Sequence, residues 1–371
     1  MSFISYDDKP RGGNSIAEMY ADVRPRKIDN PNALQLHAWQ QFQEHGIEAS
    51  DVALQLPTGQ GKTLAGLGIA EWLRRTKGQR VVYVCPTKQL VFQVRNQGAA
   101  AYGFTISAFV EKRENYDEEA YREWLRGETL AVTNYSTIFS AGDAFEDAHV
   151  LVLDDVHAAE QYVAGMWTLT VDRQEHEHLF RVLAAIVKPS VPGPDADRLT
   201  NDAQSFWDHT WVEQIPMDRF APLHREITEA LDEHAEGAGL KWAWRLLKGH
   251  LQACHLYVGA GQIVVRPLLP PTKTHAKFNN PAQRIYMSAT LGEGGELERI
   301  FGRDRITRLA TLEQPPRQVV GRRLFMFPAC ADDDEEMLLA DLMRAAGRSL
   351  VLVPSETEAA TVRVLIGKRL V

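Results

Sequence analysis

The chain has 371 residues, of which 44% are hydrophobic and 24% charged, with a formal net charge of −8. This length suffices for two or three domains, and the composition is typical of a globular protein. No apolar run approaches the roughly 18 residues of a membrane span, so we expect no membrane association. Cys85, Cys254 and Cys330 lie far apart. Their number and spacing exclude a disulfide framework or a four-cysteine metal site within the chain, and favour a reducing, cytoplasmic compartment.

The first part of the chain predicts an α/β fold. Residues 1–31 contain proline, glycine and asparagine with little periodicity, and we interpret them as a loose lead-in. Leu34, Leu36, Trp39 and Phe42 then indicate a short amphipathic helix. Apolar segments next alternate with helical patterns, which predicts a parallel sheet with helices on both faces. The predicted strands are 52–56, 80–85, 105–110, 129–133 and 150–154, and the predicted helices are 62–75, 88–97 and 116–125.

The alternation stops after residue 156. Residues 160–280 are rich in helix formers, with one predicted strand at 262–269, and we interpret them as a mostly helical insertion. A strand at 284–287 resumes the first pattern, and a strand at 348–353 with a helix at 358–366 suggests a second lobe. The predicted organisation is a lead-in at 1–31, a first lobe at 32–159 and 281–315, the insertion at 160–280, and the start of a second lobe at 316–371.

A glycine-rich segment follows the first predicted strand and opens a predicted helix. Its residues are Leu56-Pro57-Thr58-Gly59-Gln60-Gly61-Lys62-Thr63. Glycines let backbone N–H groups turn inward around phosphate oxygens, and the helix N-terminus adds partial positive charge. In such a P-loop, Lys62 reaches the outer phosphates and Thr63 offers its hydroxyl to Mg²⁺. The segment therefore predicts that residues 57–63 bind ATP together with Mg²⁺.

Two carboxylates follow the apolar strand predicted at 150–154. A buried parallel strand delivers residues at its carboxyl end to the crevice where ligands bind in α/β proteins. Asp154 is predicted to hold Mg²⁺ with Thr63, and Asp155 to orient or deprotonate the attacking water. Together with Lys62, these two aspartates are the predicted catalytic residues.

These segments, taken with others in the same order, resemble the motifs of superfamily-2 helicases of the DEAH-like kind. The P-loop resembles motif I, and Asp154-Asp155-Val156-His157 resembles motif II. Two further segments are similar to elements that contact the nucleic-acid backbone in this family. They are Val84-Cys85-Pro86-Thr87-Lys88-Gln89-Leu90 and Thr133-Asn134-Tyr135. Ser288-Ala289-Thr290 resembles motif III, which couples hydrolysis to strand movement. Leu36-His37-Ala38-Trp39-Gln40 resembles the adenine-reading element.

The resemblance implies a RecA-like ATP-binding lobe and assigns further roles. Gln40 is expected to read adenine. His157, Ser288 and Thr290 are expected to couple ATP hydrolysis to movement. Thr87, Lys88, Thr133 and Asn134 are expected to contact nucleic acid.

The sequence departs from the family pattern in several places. Asp155 stands where the family usually has Glu, which sets the carboxylate back by one methylene, and His37 stands where Arg is frequent. The run Gln318-Val319-Val320-Gly321-Arg322-Arg323 mimics the arginine-finger motif, but it precedes the new strand, so we reject that interpretation. Because the second lobe has only begun, we interpret the sequence as part of a longer protein. The insertion occupies the position of the arch of Rad3-like helicases, although the iron–sulfur cysteines of that group are missing.

Two classes of function are consistent with these residues. The first is an ATP-dependent helicase or translocase on nucleic acid, with DNA expected in preference to RNA, although the acidic net charge gives no support for nucleic-acid binding. The second is a nucleotide-switched ATPase scaffold, which Asp155 and the acidic net charge favour. Its alternative is the motor subunit of a multi-protein antiviral, restriction or repair complex, for which no residue here identifies a partner. Trp207, Trp211, Trp242 and Trp244 in the insertion can stack on bases or fill a helical core.

Overall fold

The structure, a computed structural model, describes residues 14–201, 210–292, 294–312, 341–342, 345, 351–353 and 355–369. The chain divides into two compact units, Met1–Gln314 and Pro315–Val371. In the first unit the strands are β1 Asp51–Gln55, β2 Val81–Cys85, β3 Ile106–Ala108, β4 Leu130–Asn134, β5 Val150–Asp154, β6 Leu169–Asp172, β7 Val212–Ile215, β8 Cys254–Gly259, β9 Gln262–Pro267, β10 Gln283–Ser288 and β11 Thr307–Arg308.

The helices of the first unit follow in the same order. They are α1 Ile16–Asp22, α2 Ala33–Gln41, α3 Lys62–Lys77, α4 Lys88–Gln97, α5 Glu118–Leu125, α6 Tyr135–Ile138, α7 Glu160–Met166, α8 Glu177–Val187, α9 Met217–Phe220, α10 His224–His234, α11 Lys241–Leu247, α12 Ala276–Asn279 and α13 Glu296–Phe301. Among the residues that the structure describes, no helix is long and apolar enough to cross a membrane.

A seven-stranded parallel sheet is the centre of the first unit, in the order β11-β1-β10-β5-β2-β4-β3. Strands β2 and β10 are buried along their whole length, as expected for a parallel sheet covered on both faces. Strand β10 lies between β1 and β5, with Met287 paired to Leu54 on one side and to Asp154 on the other. The carboxyl ends of β1, β10 and β5 therefore meet at one edge.

Two hydrophobic layers cover the sheet, one on each face. One layer contains residues of α1, α2, α3 and α4, and the other contains residues of α5, α6, α13 and the insertion. Gly68 permits a close approach of α3 to α2, because a Cβ there would lie 2.5 Å from the Trp39 ring. The Trp39 indole N–H also donates to the Ala65 carbonyl at 2.9 Å. The predicted α/β fold with helices on both faces is confirmed.

The start of the described chain differs from the predicted loose lead-in. Ser15 and Glu18 form a capping box that begins α1. Ile16, Met19 and Tyr20 on this helix are fully buried and pack with α2 and α3. A single turn of apolar residues spaced three and four apart was too short a signal to stand out in a segment rich in glycine and proline.

The insertion contains a second sheet that the sequence analysis largely missed. Strands β6, β9, β8 and β7 form an antiparallel sheet in that order, and only β9 corresponds to a predicted strand. The alternating residues Leu256 and Val258 on β8 and Ile263 and Val265 on β9 are buried under helices including α8. Each strand has only four to six residues, so its period of two was obscured by the surrounding helix formers.

The tryptophans of the insertion occupy different environments. Trp244 is buried, Trp211 is half-buried and Trp242 is 66% exposed, while Trp207 lies outside the described residues. The buried residues of the insertion join the same hydrophobic layer as the second face of the main sheet. The insertion therefore packs with the first lobe in one compact unit instead of forming a separate body.

In the second unit, the structure describes one long helix, Glu356–Arg369, close to the predicted 358–366. The predicted strand at 348–353 is not confirmed: residues 348–350 lie outside the described part, and 351–353 have no regular structure. Leu352 is 85% exposed, unlike the side chains of a parallel strand that is covered on both faces. The arginine-rich run 318–323 and Cys330 also lie outside the described residues.

Candidate functional site

The glycine-rich loop joins β1 to α3 at the edge where the carboxyl ends of the strands meet. Gly59 and Gly61 have φ values of 80° and 76°, in the left-handed region that favours glycine. The Leu56 N–H donates to the Ser288 carbonyl at 3.0 Å, which fixes the start of the loop to the end of β10. Helix α3 begins at Lys62, immediately after Gly61. The loop thus has the backbone form and the helix N-terminus expected of a phosphate cradle.

Helix α2 supports this loop from behind through two residues that the sequence analysis did not select. Asn32 and Gln35 form the capping box of α2. The Asn32 side-chain amide also donates to the Gln60 carbonyl at 3.1 Å, and the Gln35 amide donates to the Gly61 carbonyl at 3.0 Å. A Cβ on Gly61 would lie 2.2 Å from the Gln35 nitrogen. The Asn-x-x-Gln spacing at a helix start was the available sequence signal.

Gln40, the predicted adenine reader, has a different environment. Its side-chain amide donates to a Glu44 carboxylate oxygen at 2.8 Å, and Glu44 is an exposed residue of the helical turn Phe42–Gly46 that follows α2. Gln35 lies five positions before Gln40 and is 6% exposed. Of the two glutamines, therefore, Gln35 contacts the P-loop, whereas Gln40 is paired with a residue of the following turn.

Asp154 ends β5 with one carboxylate oxygen unpaired. The Tyr83 hydroxyl donates to Oδ2 at 3.0 Å, while Oδ1 is buried and has no hydrogen-bond partner among the described residues. Burial raises the pKa of Asp154, and the hydrogen bond from Tyr83 and the positive charge of Lys62 oppose that rise. This oxygen is buried, lacks a partner among the described residues and is influenced by the charge of the P-loop lysine. Such an oxygen is suited to bind a hydrated Mg²⁺.

Asp155 follows in a strained backbone conformation. Its φ of 50° and ψ of 61° place a non-glycine residue in the left-handed region, and its side chain is exposed. The preceding carbonyl, that of Asp154, accepts a hydrogen bond from the Tyr135 hydroxyl at 2.8 Å. Such conformations cost of order 1 to 3 kcal/mol and cluster at functional sites, because surrounding contacts must hold them in place.

The predicted coupling residues lie together. His157 Nε2 is 2.5 Å from the Thr290 carbonyl oxygen and 3.4 Å from the Thr290 hydroxyl. The Thr290 N–H in turn donates to the Ser288 hydroxyl at 3.4 Å. The sheet order explains this arrangement, because β10 is the direct neighbour of β5. Residues far apart in sequence are thereby connected at the edge that carries the P-loop.

The four predicted nucleic-acid contacts divide into two groups. Thr87 and Lys88 are exposed at the start of α4, where the Thr87 hydroxyl accepts from the Leu90 N–H at 3.3 Å and Lys88 pairs with Glu111 at 3.1 Å. Thr133 and Asn134 are buried instead, at 0% and 4% exposure.

The buried pair makes internal contacts. The Thr133 hydroxyl donates to the Phe109 carbonyl at 2.6 Å, and the Asn134 side chain caps α6 by accepting from the Thr137 N–H at 3.2 Å. Their predicted contact with nucleic acid is therefore not supported. The family resemblance predicted a nucleic-acid contact for both, but the Thr133 hydroxyl bonds the carbonyl of Phe109 after β3 and the Asn134 side chain caps the helix that follows.

Comparisons with known proteins agree with the motifs. Residues 32–176 match the family model for the DEAD/DEAH box helicase. No curated protein matches the sequence. Similar solved structures include XPD in its apo form, with 16% identity, a TM-score of 0.43 and coverage of 73% of this chain and 57% of that one.

Two further structures belong to the same group of matches. The S. tokodaii Xpd4 has 15% identity and a TM-score of 0.43, with coverage of 76% of this chain and 61% of its own. The DUF1998 helicase MrfA has 15% identity and a TM-score of 0.43, with 95% of this chain and 40% of its own covered. The chain spans less than two thirds of each of these three proteins. The P-loop and the two-aspartate motif both lie within residues 32–176, the part of the chain that matches the DEAD/DEAH box helicase model.

Proposed function

We propose that this protein hydrolyses ATP to move along a single strand of nucleic acid, with DNA preferred to RNA. The observation that carries the proposal is that two charged groups lie at the same end of the sheet. Lys62 opens α3 after a glycine cradle, and Asp154 ends β5 with a buried, unpartnered carboxylate oxygen. The Lys62 charge lowers the pKa of Asp154, against a larger rise caused by burial, so the two groups are electrostatically coupled.

The nucleotide contacts follow from the loop geometry. The phosphates would lie against the backbone of Pro57, Thr58, Gly59, Gln60, Gly61, Lys62 and Thr63. Thr63 and Asp154 would hold Mg²⁺, which when bound neutralises charge on the phosphates. Gln35 would hold the loop in position through its hydrogen bond to the Gly61 carbonyl, and a contact of Gln40 with adenine would require its bond to Glu44 to break. Asp155 would orient the attacking water from its exposed position beside Asp154.

The nucleic-acid track is proposed to cross the edge beyond β2. Thr87 and Lys88 are exposed there at the start of α4, and the ion pair that Lys88 makes within the described part of the chain, with Glu111, is itself exposed. Such a pair contributes little, so a phosphate group could replace the carboxylate at small cost. The insertion between motifs II and III supports a Rad3-like arrangement, in which that segment contacts the strand.

The direct test is the ATPase activity of the full-length protein with and without single-stranded DNA or RNA. We expect stimulation by nucleic acid, stronger with DNA. Lys62→Ala should lower turnover by at least a hundredfold, because the outer phosphates lose their charge partner in the transition state. Lys77→Ala, at the exposed far end of the same helix, is the matched control and should be neutral. Turnover at the wild-type level in Lys62→Ala would refute the P-loop assignment.

A second candidate is a nucleotide-switched scaffold or the motor subunit of a larger complex. The short, exposed and strained Asp155 favours it, because the usual glutamate would reach one methylene further toward the water. The two candidates differ in the effect of Asp155→Glu and Asp155→Asn. For a motor, Asp155→Asn should reduce hydrolysis about a hundredfold and Asp155→Glu should preserve it. For a switch, hydrolysis by the wild type should be slow and both substitutions should leave ATP-dependent partner binding intact.

A further inference from the structure

Asp155 depends on its backbone for the position of its carboxylate. Its φ of 50° and ψ of 61° lie in the left-handed region, which disfavours residues other than glycine. A return to an ordinary conformation would turn the direction of its Cα–Cβ bond relative to Asp154. An aspartate side chain has one torsion fewer than a glutamate and so has less freedom to compensate for such a turn. The proposed role of Asp155 in orienting water therefore requires a contact that holds the preceding peptide group.

The Tyr135 hydroxyl makes that contact. It donates to the Asp154 carbonyl oxygen at 2.8 Å, and this carbonyl belongs to the peptide bond that joins Asp154 to Asp155. Because a peptide group is planar, a hydrogen bond to its oxygen restricts rotation of the whole plane. The φ torsion of Asp155 turns about the bond next to this plane. The Tyr135 hydroxyl therefore restrains the left-handed conformation of Asp155.

Tyr135 reaches this carbonyl from two strands away in the main sheet. It directly follows β4, and β2 lies between β4 and β5. The intervening strand ends at Cys85, a small buried residue. Tyr135 is the first residue of α6, and the Asn134 side chain caps that helix by accepting from the Thr137 N–H at 3.2 Å. The cap fixes the backbone from which the Tyr135 ring extends.

A second tyrosine restrains the ring of Tyr135. The Tyr162 ring, on α7, stacks on it with the centroids 6.0 Å apart and an angle of 27° between the planes. The Tyr162 hydroxyl donates to the Pro86 carbonyl at 3.0 Å. Pro86 lies between the end of β2 and Thr87, the N-cap of α4. The Tyr135 ring is thus packed against a side chain that is itself held by the loop after β2.

We propose that Tyr135 is a positioning residue for ATP hydrolysis, whose hydroxyl holds the Asp154–Asp155 peptide group so that the Asp155 carboxylate faces the attacking water. The inference rests on the proposed function and deepens it by naming the side chain that keeps Asp155 in place. Tyr135 is fully buried, so its role is exerted through Asp155 and not by contact with the nucleotide. The segment Thr133-Asn134-Tyr135 thereby has an internal role in the ATP site.

The size of the effect follows from two opposing terms. The cost of a left-handed conformation at a residue other than glycine and the gain from one hydrogen bond are of the same order. Loss of the Tyr135 hydroxyl should therefore release Asp155 into ordinary conformations without disrupting the fold. If about a tenth of the molecules keep the competent conformation, kcat falls about tenfold while ATP binding is unaffected.

The experiment compares Tyr135→Phe with the wild type in the full-length protein. We expect kcat for ATP hydrolysis to fall about tenfold with an unchanged KM. Equilibrium binding of mant-ATP, a fluorescent ATP analogue, should also be unchanged, because the phosphate cradle is intact. Tyr20→Phe is the matched control. Tyr20 is also buried and its hydroxyl donates to the Ile28 carbonyl at 2.6 Å, so this variant loses the same kind of bond outside the site and should keep the wild-type kcat.

A double-mutant cycle separates positioning from a general loss of structure. In an Asp155→Asn background, Tyr135→Phe should cause no further fall in kcat, because the carboxylate that the hydroxyl positions is already gone. A purely structural role would give the same loss in both backgrounds, and that result would overturn the inference. A raised KM with an unchanged kcat would place Tyr135 in nucleotide binding and would overturn it as well.

The same measurements distinguish this inference from the proposed function. If the wild type hydrolyses ATP and Tyr135→Phe does so at an equal rate, the positioning role is wrong and the proposed function stands. If the wild type shows no ATP turnover, with or without nucleic acid, the proposed function fails and this inference fails with it.

Discussion

His157 and Thr290 are 133 positions apart in sequence, and their contact joins the motif after β5 to the turn after β10. The imidazole Nε2 lies 2.5 Å from the Thr290 carbonyl oxygen. A carbonyl can only accept, so Nε2 must carry the proton in the tautomer that makes this hydrogen bond. The contact gives the turn after β10 a direct connection to the residue two positions after Asp155.

Breaking this contact should uncouple nucleic acid from hydrolysis. For His157→Ala we expect basal ATPase activity to persist and stimulation by single-stranded DNA to fall about tenfold, the effect of losing one hydrogen bond. Steady-state ATPase assays with and without DNA measure both quantities. Thr290→Val is the matched control, because it removes the hydroxyl at 3.4 Å but keeps the carbonyl at 2.5 Å. Full stimulation in His157→Ala would contradict the coupling role.

The two glutamines of α2 should differ in their effect on nucleotide binding. Gln35→Ala removes a hydrogen bond to the Gly61 carbonyl and half of the capping box. We expect the KM for ATP to rise about fivefold to tenfold, since each interaction contributes about 1 kcal/mol. Gln40→Ala, which loses only its bond to Glu44, should leave KM unchanged. A larger effect from Gln40→Ala than from Gln35→Ala would restore the role predicted from the sequence.

A buried ion network at the start of β1 should dominate the acid sensitivity of the first unit. Asp51 accepts from Arg284 at 2.7 Å, from the Tyr286 hydroxyl at 2.7 Å and from Arg303 at 3.1 Å. Burial raises the pKa of Asp51, but the hydrogen bond and charge of Arg284, with Tyr286 and Arg303, outweigh it, and the net pKa is lowered. The stabilisation is therefore present above the ordinary value of 3.8 and is lost as pH falls below it.

Asp51→Asn should lower the free energy of unfolding by about 3 kcal/mol at neutral pH, because Arg284 is left buried without its counterion. Urea denaturation at several pH values measures the difference between the two proteins, which should shrink in acid. Asp304→Asn is the matched control: Asp304 is exposed and forms an exposed ion pair with Lys273, so stability should hardly change. An equal effect of the two substitutions would refute the importance of the network. Arg303 forms its ion pair with Asp51, and Arg308, further along the chain, forms one with Glu298.

Two neighbouring tryptophans on α11 should have opposite importance for stability. Trp244 is 5% exposed and its indole N–H donates to Asp232 at 2.7 Å, whereas Trp242 is 66% exposed. Trp244→Ala should lower the free energy of unfolding by about 3 to 5 kcal/mol through the cavity it leaves. Trp242→Ala should change it by less than about 1 kcal/mol. Thermal unfolding of both variants provides the measurement, and similar losses for the two would contradict the assignment of their environments.

The sequence alone was sufficient for most of the main sheet. Strand β5 and helix α4 have the predicted bounds, and β1, β2, β4 and β10 begin and end within one residue of the prediction. Buried parallel strands are continuous apolar runs, and a long helix has a repeated period, so both patterns are visible locally. The short strands of the insertion and the single turns of α1 gave too few repeats, and their stability comes from packing against distant residues.

The P-loop and Asp154 were predicted from residue types whose order the chemistry of a phosphate–magnesium unit requires, and the closeness of His157 to the segment that contains Thr290 was expected from the family resemblance. Only the tertiary structure decided which glutamine supports the loop, that Thr133 and Asn134 are buried, and that Lys277 and Tyr116 share a cavity. These facts depend on which side of a helix or strand faces a neighbour. That relationship joins residues from different elements, 26 positions apart for Gln35 and Gly61 and more than a hundred for Tyr116 and Lys277. No local pattern in the sequence records it.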